Sequence, residues 1–461
     1  MCFSALLMGA AVRIAHRVAS YPMFAAIERL FRHALYELRG GFLVRPLALA
    51  ALIGAFGIAL PLVENAFPVV DAWAERLPVL APRDPAAAAG VLAAVIGAMM
   101  TVVSIVLSVL LVAITLASMQ FSPRILSAFV EDRPSQTTIG IFLGTFWYCL
   151  FTYPAAHAEP PSTPVIAVLG AMGLAIACTV ALVGFIHHIA RSINVNFITE
   201  RVARETEGVV DAMTPEARGD APIGGGQSTP PFEGAVIRAA RSGYIRFVDT
   251  DRLSAIAKRA GVALSVERRV GHFIAEGVPL LRLASARRPD PADEAAILET
   301  IDIGPVRTME QDVEFGILQL VDIALKAMSP AVNDPSTAIN CIDQLSRILV
   351  RVASRVPAPT VFYEPPGVVR VVLPPLPFSR LVDVAFEQIL HYGKGDLVVA
   401  LRVQRALSDI AASTSHSEII ATARACAERA AEQCIRALPE AAHGSIRDRL
   451  AMVAGSPPST D

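Results

Sequence analysis

The run A-A-A-A-G-V-L-A-A-V-I-G-A-M-M-T-V-V-S-I-V-L-S-V-L-L-V-A-I-T-L-A-S-M-Q-F-S at 86–122 decides the fold. It contains neither charge nor proline, and as one helix it would measure roughly 55 Å at 1.5 Å per residue, against a hydrocarbon core of about 30 Å. Such a helix belongs in lipid and must tilt strongly or protrude. Three further stretches are long and apolar enough to cross: Pro46 to Val63, about Thr137 to His157, and about Val165 to Phe185. The last two are joined by A-E-P-P-S-T-P, which leaves room only for a tight antiparallel return. Composition agrees, since 54% of the 461 residues are hydrophobic and 18% charged, with a mean hydropathy of +0.51. Those values exclude a disordered, collagenous or ordinary soluble chain. A formal charge of −2 provides no basic field, so no nucleic acid partner is expected.

The basic residues orient the spans. Arg13, Arg17, Arg29, Arg32, Arg39 and Arg45 precede the first span, Arg124 and Arg133 lie between the second and third, and Arg191, Arg201 and Arg204 follow the fourth. The connection from Glu64 to Asp84 mixes Arg76 and Arg83 with acidic residues. The positive-inside rule therefore places both termini in the cytoplasm of a bacterial inner-membrane protein. The apolar first residues lack a leading basic residue and a clear cleavage site, so they read as retained rather than as a signal peptide. Phe24, Ile27, Phe31, Leu35 and Leu38 form an apolar stripe, the pattern of an interfacial helix within 1–45.

No span carries Asp, Glu, Lys or Arg in its interior, which disfavours a proton-coupled carrier. The second span instead has a small and hydroxylated seam: Gly90, Ala94, Gly97, Thr101, Ser104, Ser108, Thr115, Ser118 and Ser122, interrupted by Leu111. Two readings fit it. Small residues let neighbouring backbones approach closely, which is helix packing. A ring of identical helices with the hydroxyls turned inward would line a wetted pore. Only oligomer geometry separates the two, and a homo-oligomer in the lipid bilayer is the expected partner arrangement. His187 and His188 read as interfacial anchors at the end of the fourth span. Six cysteines without a C-x-x-C pair read as a reduced, inert set, with Cys426 and Cys434 able to share a helical face.

Beyond the spans, 193–231 reads as a helical extension ending in the Gly/Pro linker A-P-I-G-G-G-Q-S-T-P-P. The stretch 232–290 reads as a small β-rich module, with V-I-R-A-A, S-G-Y-I-R-F-V, V-A-L-S-V-E-R-R and H-F-I-A-E-G-V-P-L-L-R-L as strands around the helix D-R-L-S-A-I-A-K-R-A. Its order of glycines and strands resembles the barrel-sandwich modules of lipoyl-type domains. Those carriers modify a hairpin lysine, whereas Lys258 falls in the predicted helix, so carrier chemistry is not expected. Residues 291–455 read as a mainly helical domain and 456–461 as a disordered tail. Within it Phe315, Leu318, Val321, Leu325 and Met328 form a core-facing stripe, and Ser329–Pro330 followed by Asp334–Pro335 predicts a helix–turn–helix corner. V-F-Y-E and G-V-V-R-V-V-L predict a hairpin, followed by a closing helical bundle.

The segment A-M-S-P-A-V-N-D-P-S-T-A at 327–338, preceded by R-T-M-E-Q-D-V-E-F-G-I-L-Q-L-V-D-I-A at 307–324, resembles the signature of the domain-of-unknown-function 2254 family of predicted bacterial membrane proteins. M-Q-F-S-P-R-I-L at 119–126 and L-G-T-F-W-Y at 143–148 extend the resemblance over about Pro46 to Leu349. It implies a membrane protein and supplies no activity, cofactor or catalytic residue.

Read without the family, Arg307, Glu310, Asp312, Asp322, Asn333 and Asp334, with Glu314 beside them, admit two readings: a site for a divalent cation, an anion or an unknown cytosolic ligand, or a structural polar network. No metalloprotease, hydrolase, dinucleotide or cysteine-protease motif is present, so no enzyme and no cofactor are expected. The resulting fold class is a membrane α-helical protein with four transmembrane helices plus a cytosolic α+β region. Two function classes remain, a homo-oligomeric ion channel or pore with a cytosolic regulatory domain, and a non-conducting membrane-anchored ligand-binding or scaffold protein.

Overall fold

A computed structural model describes residues 44–66, 84–120, 132–157, 164–192, 194–214, 230–355, 360–365, 367–393 and 395–454, with side chains up to 116 in the second of these segments and up to 453 in the last. The interfacial helix expected within 1–45, most of the Gly/Pro linker, the 119–126 motif beyond Gln120 and the C-terminal tail lie outside the described residues. The chain divides into two compact units, Met1–Ser118 with Ile125–Ile193, and Met119–Arg124 with Asn194–Asp461.

The first unit holds four helices long and apolar enough to cross a membrane. They are α1 (Val44–Ala66), α2 (Pro85–Gln120), α3 (Arg133–Thr152) and α4 (Val165–Ser192). The third is central, with half of its most apolar window buried against 17% for α2. Glycines set the tightest contact, between α1 and α3. A Cβ on Gly57 would stand 2.5 Å from the Tyr148 carbonyl oxygen, and one on Gly144 would stand 2.7 Å from Ile53 Cδ1. Gly140 and Gly144 form a G-x-x-x-G pair facing α1, the spacing that lets helix backbones touch in lipid.

Polar groups reinforce that pairing where the backbone is incomplete. Pro61 lies inside α1 and has no N–H for the Gly57 carbonyl. The Thr152 hydroxyl donates to that carbonyl at 3.1 Å. Glu64, expected in the loop, occupies the last turn of α1 and is buried. Its carboxylate accepts from the Ile166 and Ala167 amides at 2.7 and 3.3 Å, satisfying orphan donors at the start of α4. At the other end of α4, His188 Nε2 lies 2.9 Å from Asp132 Oδ2, and Asp132 also caps α3 through the Ser135 amide.

The second unit opens with α5 (Val195–Met213) and continues with β1 (Val236–Arg238), β2 (Gly243–Val248), α6 (Thr250–Ala260), β3 (Leu264–Val266), β4 (Phe273–Ile274) and β5 (Pro279–Leu283). Next come α7 (Pro291–Glu299), β6 (Ile301–Gly304), α8 (Val313–Ala327), α9 (Pro335–Ala353) and the hairpin β7 (Val361–Glu364) and β8 (Val368–Val372). Helices α10 (Phe378–Gly393), α11 (Leu397–Ala412), α12 (Ser417–Ala437) and α13 (His443–Ala454) complete it.

The β-rich part is not confined to 232–290. Its five-stranded sheet has the order β1-β5-β3-β8-β7 and its three-stranded sheet the order β4-β2-β6. Strand β6 and the distant hairpin therefore complete the two sheets, and β8 joins β3 in parallel at Leu264 and Ser265. Ile237, Ile245, Leu253, Leu264, Leu281 and Val371 fill the core between these elements.

Helix α8 also departs from expectation. Of the stripe expected to face the core, Phe315 and Val321 are buried, but so are Val313, Gly316, Ile317, Leu320, Ala324 and Ala327 outside it. The expected Leu318, Leu325 and Met328 are only partly buried. The reason is position, because α8 packs against α5, α9 and α10 and is covered on more than one face. Asp334 caps α9 through the Thr337 amide at 3.1 Å, giving the predicted corner.

Gly57→Ala should cost about 1–3 kcal/mol through overpacking, whereas Gly97→Ala, whose Cβ would meet nothing within 4 Å, should leave the unassociated subunit unchanged. Thermal unfolding of the two variants in detergent distinguishes them, and equal melting temperatures would show that the α1–α3 contact is not tight.

Candidate functional site

The two edges of α2 have opposite surroundings. Leu92, Met99, Val106, Leu110 and Ala113, three to seven residues apart, are buried with Phe142, Tyr148, Cys178 and Phe185 of α3 and α4. Gly97, Thr101, Ser104, Ser108 and Thr115 are all exposed, as are Gly90 and Ala94. The seam read from sequence therefore turns away from its own subunit. The Ser118 side chain lies outside the described residues, and so does Ser122.

The seam hydroxyls are engaged by their own helix. Ser104 donates to the Met100 carbonyl at 3.0 Å, Ser108 to Ser104 at 2.8 Å, Thr115 to Leu111 at 2.8 Å and Thr101 to Gly97 at 3.3 Å. Each hydroxyl proton is used inside the helix and each oxygen keeps acceptor capacity on the outer edge. The result is a narrow, weakly polar strip without ionisable groups. It is flanked by exposed apolar residues such as Ile105, Leu111 and Val112.

The polar residues of the second unit separate into two places. Arg307 forks onto Asp312, with Nε and Nη2 each 2.9 Å from a carboxylate oxygen, and its guanidinium lies 5.2 Å from the Phe315 ring centroid. Asp312 is buried and also caps α8 by accepting from the Phe315 amide at 3.0 Å. This pair sits against Gly271, which has a φ of +86° and whose absent Cβ would collide with both side chains. Gln311 bonds both backbone groups of Val248, and Glu314 accepts from Arg380 at 3.0 Å with Arg269 3.7 Å away. The segment 307–314 is thus a polar joint between the sheets, α8 and α10.

Glu310 is exposed in the same loop. Asp322 is half-buried in the middle of α8. Asn333, at a φ of +48°, and Asp334 form the corner beyond its far end. One helix length, about 22 Å for 15 residues, separates that corner from Asp312, so the six polar residues read from sequence do not converge. Among the described residues, no three His, Cys, Asp or Glu side chains are grouped as a metal ion would need.

Burial pushes the Asp312 carboxyl above its ordinary range despite Arg307, and it pushes His272 down, with Arg269 adding to the effect. The Cys341 thiol is driven upward by burial and Cys426 is pushed up to about 11 by the same cause, so neither is a ready nucleophile. Glu64 and the Asp132–His188 contact were missed as structural anchors. The Asp132-Arg133-Pro134 order is a helix-start signal that could have exposed the second.

Four apolar helices followed by an α+β unit define a multi-span membrane protein. The chain belongs to the family described as predicted membrane protein (DUF2254), whose model matches residues 39–409. It is similar to uncharacterized proteins of Mycobacterium bovis and Mycobacterium tuberculosis, each 32% identical over 335 residues. The match covers 71% of this chain and 64% of each relative, so the chain spans under two thirds of the curated proteins it resembles. No solved structure matches.

Removing one partner of a buried ion pair costs about 3 kcal/mol or more, so Arg307→Ala should lower the melting temperature by roughly 6–12 °C for a unit of this size. Glu310→Ala should change stability by less than about 0.5 kcal/mol. A calorimetric scan of both variants separates a structural joint from a ligand cluster, since the latter would leave Arg307→Ala near wild-type stability.

Proposed function

We propose that the protein is a homo-oligomeric channel or pore of the bacterial inner membrane, with both termini and a regulatory α+β region in the cytoplasm, and that it is not an enzyme. The observation that carries this reading is the outward placement of the seam from Gly97 to Thr115, on the helix least covered by its own subunit. An exposed strip of small residues invites a second copy, and copies arranged in a ring would direct the same strip toward an axis. The internally bonded hydroxyls leave oxygens facing outward, which suits passive passage of a hydrated solute better than coupled transport. Orientation rests on the arginines around the first, third and fourth spans.

The back-bonded hydroxyls also favour a second reading. Because they need no partner, the seam can serve as a dry packing surface in a non-conducting, membrane-anchored scaffold or ligand-binding protein.

Recording from the purified protein in planar bilayers tests the two. The channel reading expects unitary currents that fall at least several-fold in Ser104→Leu and Ser108→Leu. A silent wild type, or currents indifferent to both substitutions, overturns it. Light-scattering mass in detergent adds an independent arm, because a monomer has no ring.

A further inference from the structure

Helices α5 and α11 both pack against α9, and the floor between them is formed by Ser346 and Val350 of α9 and its C-cap Ser354, four residues apart, with Ala406 of α11 opposite. These short side chains leave a trough of about 550 Å³, within the usual range for a small-molecule site. Its walls carry Arg347, Arg351, Arg402 and Arg405 against the acids Glu207, Asp343 and Asp409.

Most of these charges are already committed. Arg347 forks onto Glu207 at 2.7 and 2.9 Å and has Glu200 at 3.6 Å. Arg351 forks onto Asp211 at 2.8 Å, sharing that carboxylate with Arg355, and Arg402 forks onto Asp343. Arg405 is different, because its Nε stands 4.0 Å from Asp409, beyond hydrogen-bond distance, and both side chains are more than half exposed. On the floor, Ser346 is 9% exposed and its hydroxyl makes no hydrogen bond to a described residue.

A salt-bridge network alone explains the three forks that join α9 to α5 and α11. It does not explain an arginine without a hydrogen-bonded acid, a hydroxyl at the trough floor that makes no hydrogen bond, and unfilled space where longer apolar side chains would pack.

We propose that this trough binds a phosphate-bearing anion large enough to carry two or three phosphate groups. Guanidinium forks match phosphate oxygens in geometry and remain charged at any physiological pH. Arg405 supplies the uncommitted donor and Ser346 a hydroxyl at the floor. A phosphate drawn to Arg347 and Arg351 competes with Glu207 and Asp211, both on α5. Occupancy therefore loosens the clamp between α5 and α9. Because α5 starts at Val195, just past the end of α4 at Ser192, this gives the regulatory region its ligand. That consequence rests on the channel reading, whereas the binding itself does not.

Titration calorimetry of inorganic tripolyphosphate into the full chain, held in phosphatidylcholine nanodiscs, tests the site. Saturable binding at one per subunit is expected, weakened about tenfold by Arg405→Gln and less by Arg405→Lys, which keeps the charge and loses the fork. Arg436→Gln, on an exposed pair with Glu432 outside the trough, should bind as wild type. Both glutamine variants should melt with the wild type, since neither arginine is buried. Absence of saturable heat, or equal weakening by Arg405→Gln and Arg436→Gln, overturns the proposal. Phosphatidylglycerol nanodiscs identify the source: unchanged binding points to a soluble phosphate ester and competitive loss to a lipid headgroup, and either result supports the site. The readout involves no current, so failure here and a silent bilayer recording are separate outcomes.

Discussion

Lipid offers no water to backbone groups and no hydrophobic drive between helices, so the first unit depends on how closely α1 and α3 can approach. Gly57 and Gly144 provide that approach by omitting side chains where the partner backbone or Ile53 already stands. Close contact then places Thr152 within reach of the carbonyl that Pro61 leaves unbonded. It also encloses Glu64, whose charge is tolerable near the membrane boundary because two amides at the start of α4 take up its oxygens. With α3 enclosed in this way, α2 can pack by one edge only, and its other edge is left available.

The second unit answers a different constraint. In water the drive is apolar burial, and α8 takes the central position with apolar residues around most of its circumference. Apart from the half-buried Asp322, a helix so enclosed carries its charges near its ends. The Arg307–Asp312 fork occupies its N-terminus, where the carboxylate serves both the ion pair and the first-turn amides. The corner from Ser329 to Asp334 closes the other end through a residue at positive φ and a capping carboxylate. The density of polar residues over 302–344 thus reflects two helix ends brought into one stretch of sequence, not one shared site.

Much of this was legible in the chain. Spans, strands β1 to β5, the corner and the closing helices follow from apolar runs, alternation and capping residues, which are local signals. The misread parts depend on partners distant in sequence. I-D-I-G at 301–304 is too short to announce a strand without β2 beside it. The hairpin at 361–372 reads correctly as a hairpin, but nothing local states that Val371 pairs with Leu264. The α8 stripe captures only part of the buried surface, because one-sided periodicity assumes one covered face. The G-x-x-x-G at 140–144 is by contrast a local signal, and it marks the face of α3 that meets α1. The trough could not be read at all, since Arg347, Arg351, Arg402 and Arg405 look like solvated helix faces until α5, α9 and α11 are placed together.

The exposed edge of α2 and the trough are connected by a shared logic of incomplete satisfaction. Elsewhere several described polar side chains are matched within the subunit, Glu64 by amides, Asp132 by His188 and an amide, Asp312 by Arg307 and Gln311 by Val248, while the Ser135, Ser254 and Thr308 hydroxyls and Gln404 Oε1 are buried without a partner. On the channel reading proposed above, a second copy of the chain covers the seam. On the binding proposal, an anion takes the place beside Arg405 and Ser346. Under the two proposals, protein surface completes the first and a phosphate-bearing ligand the second.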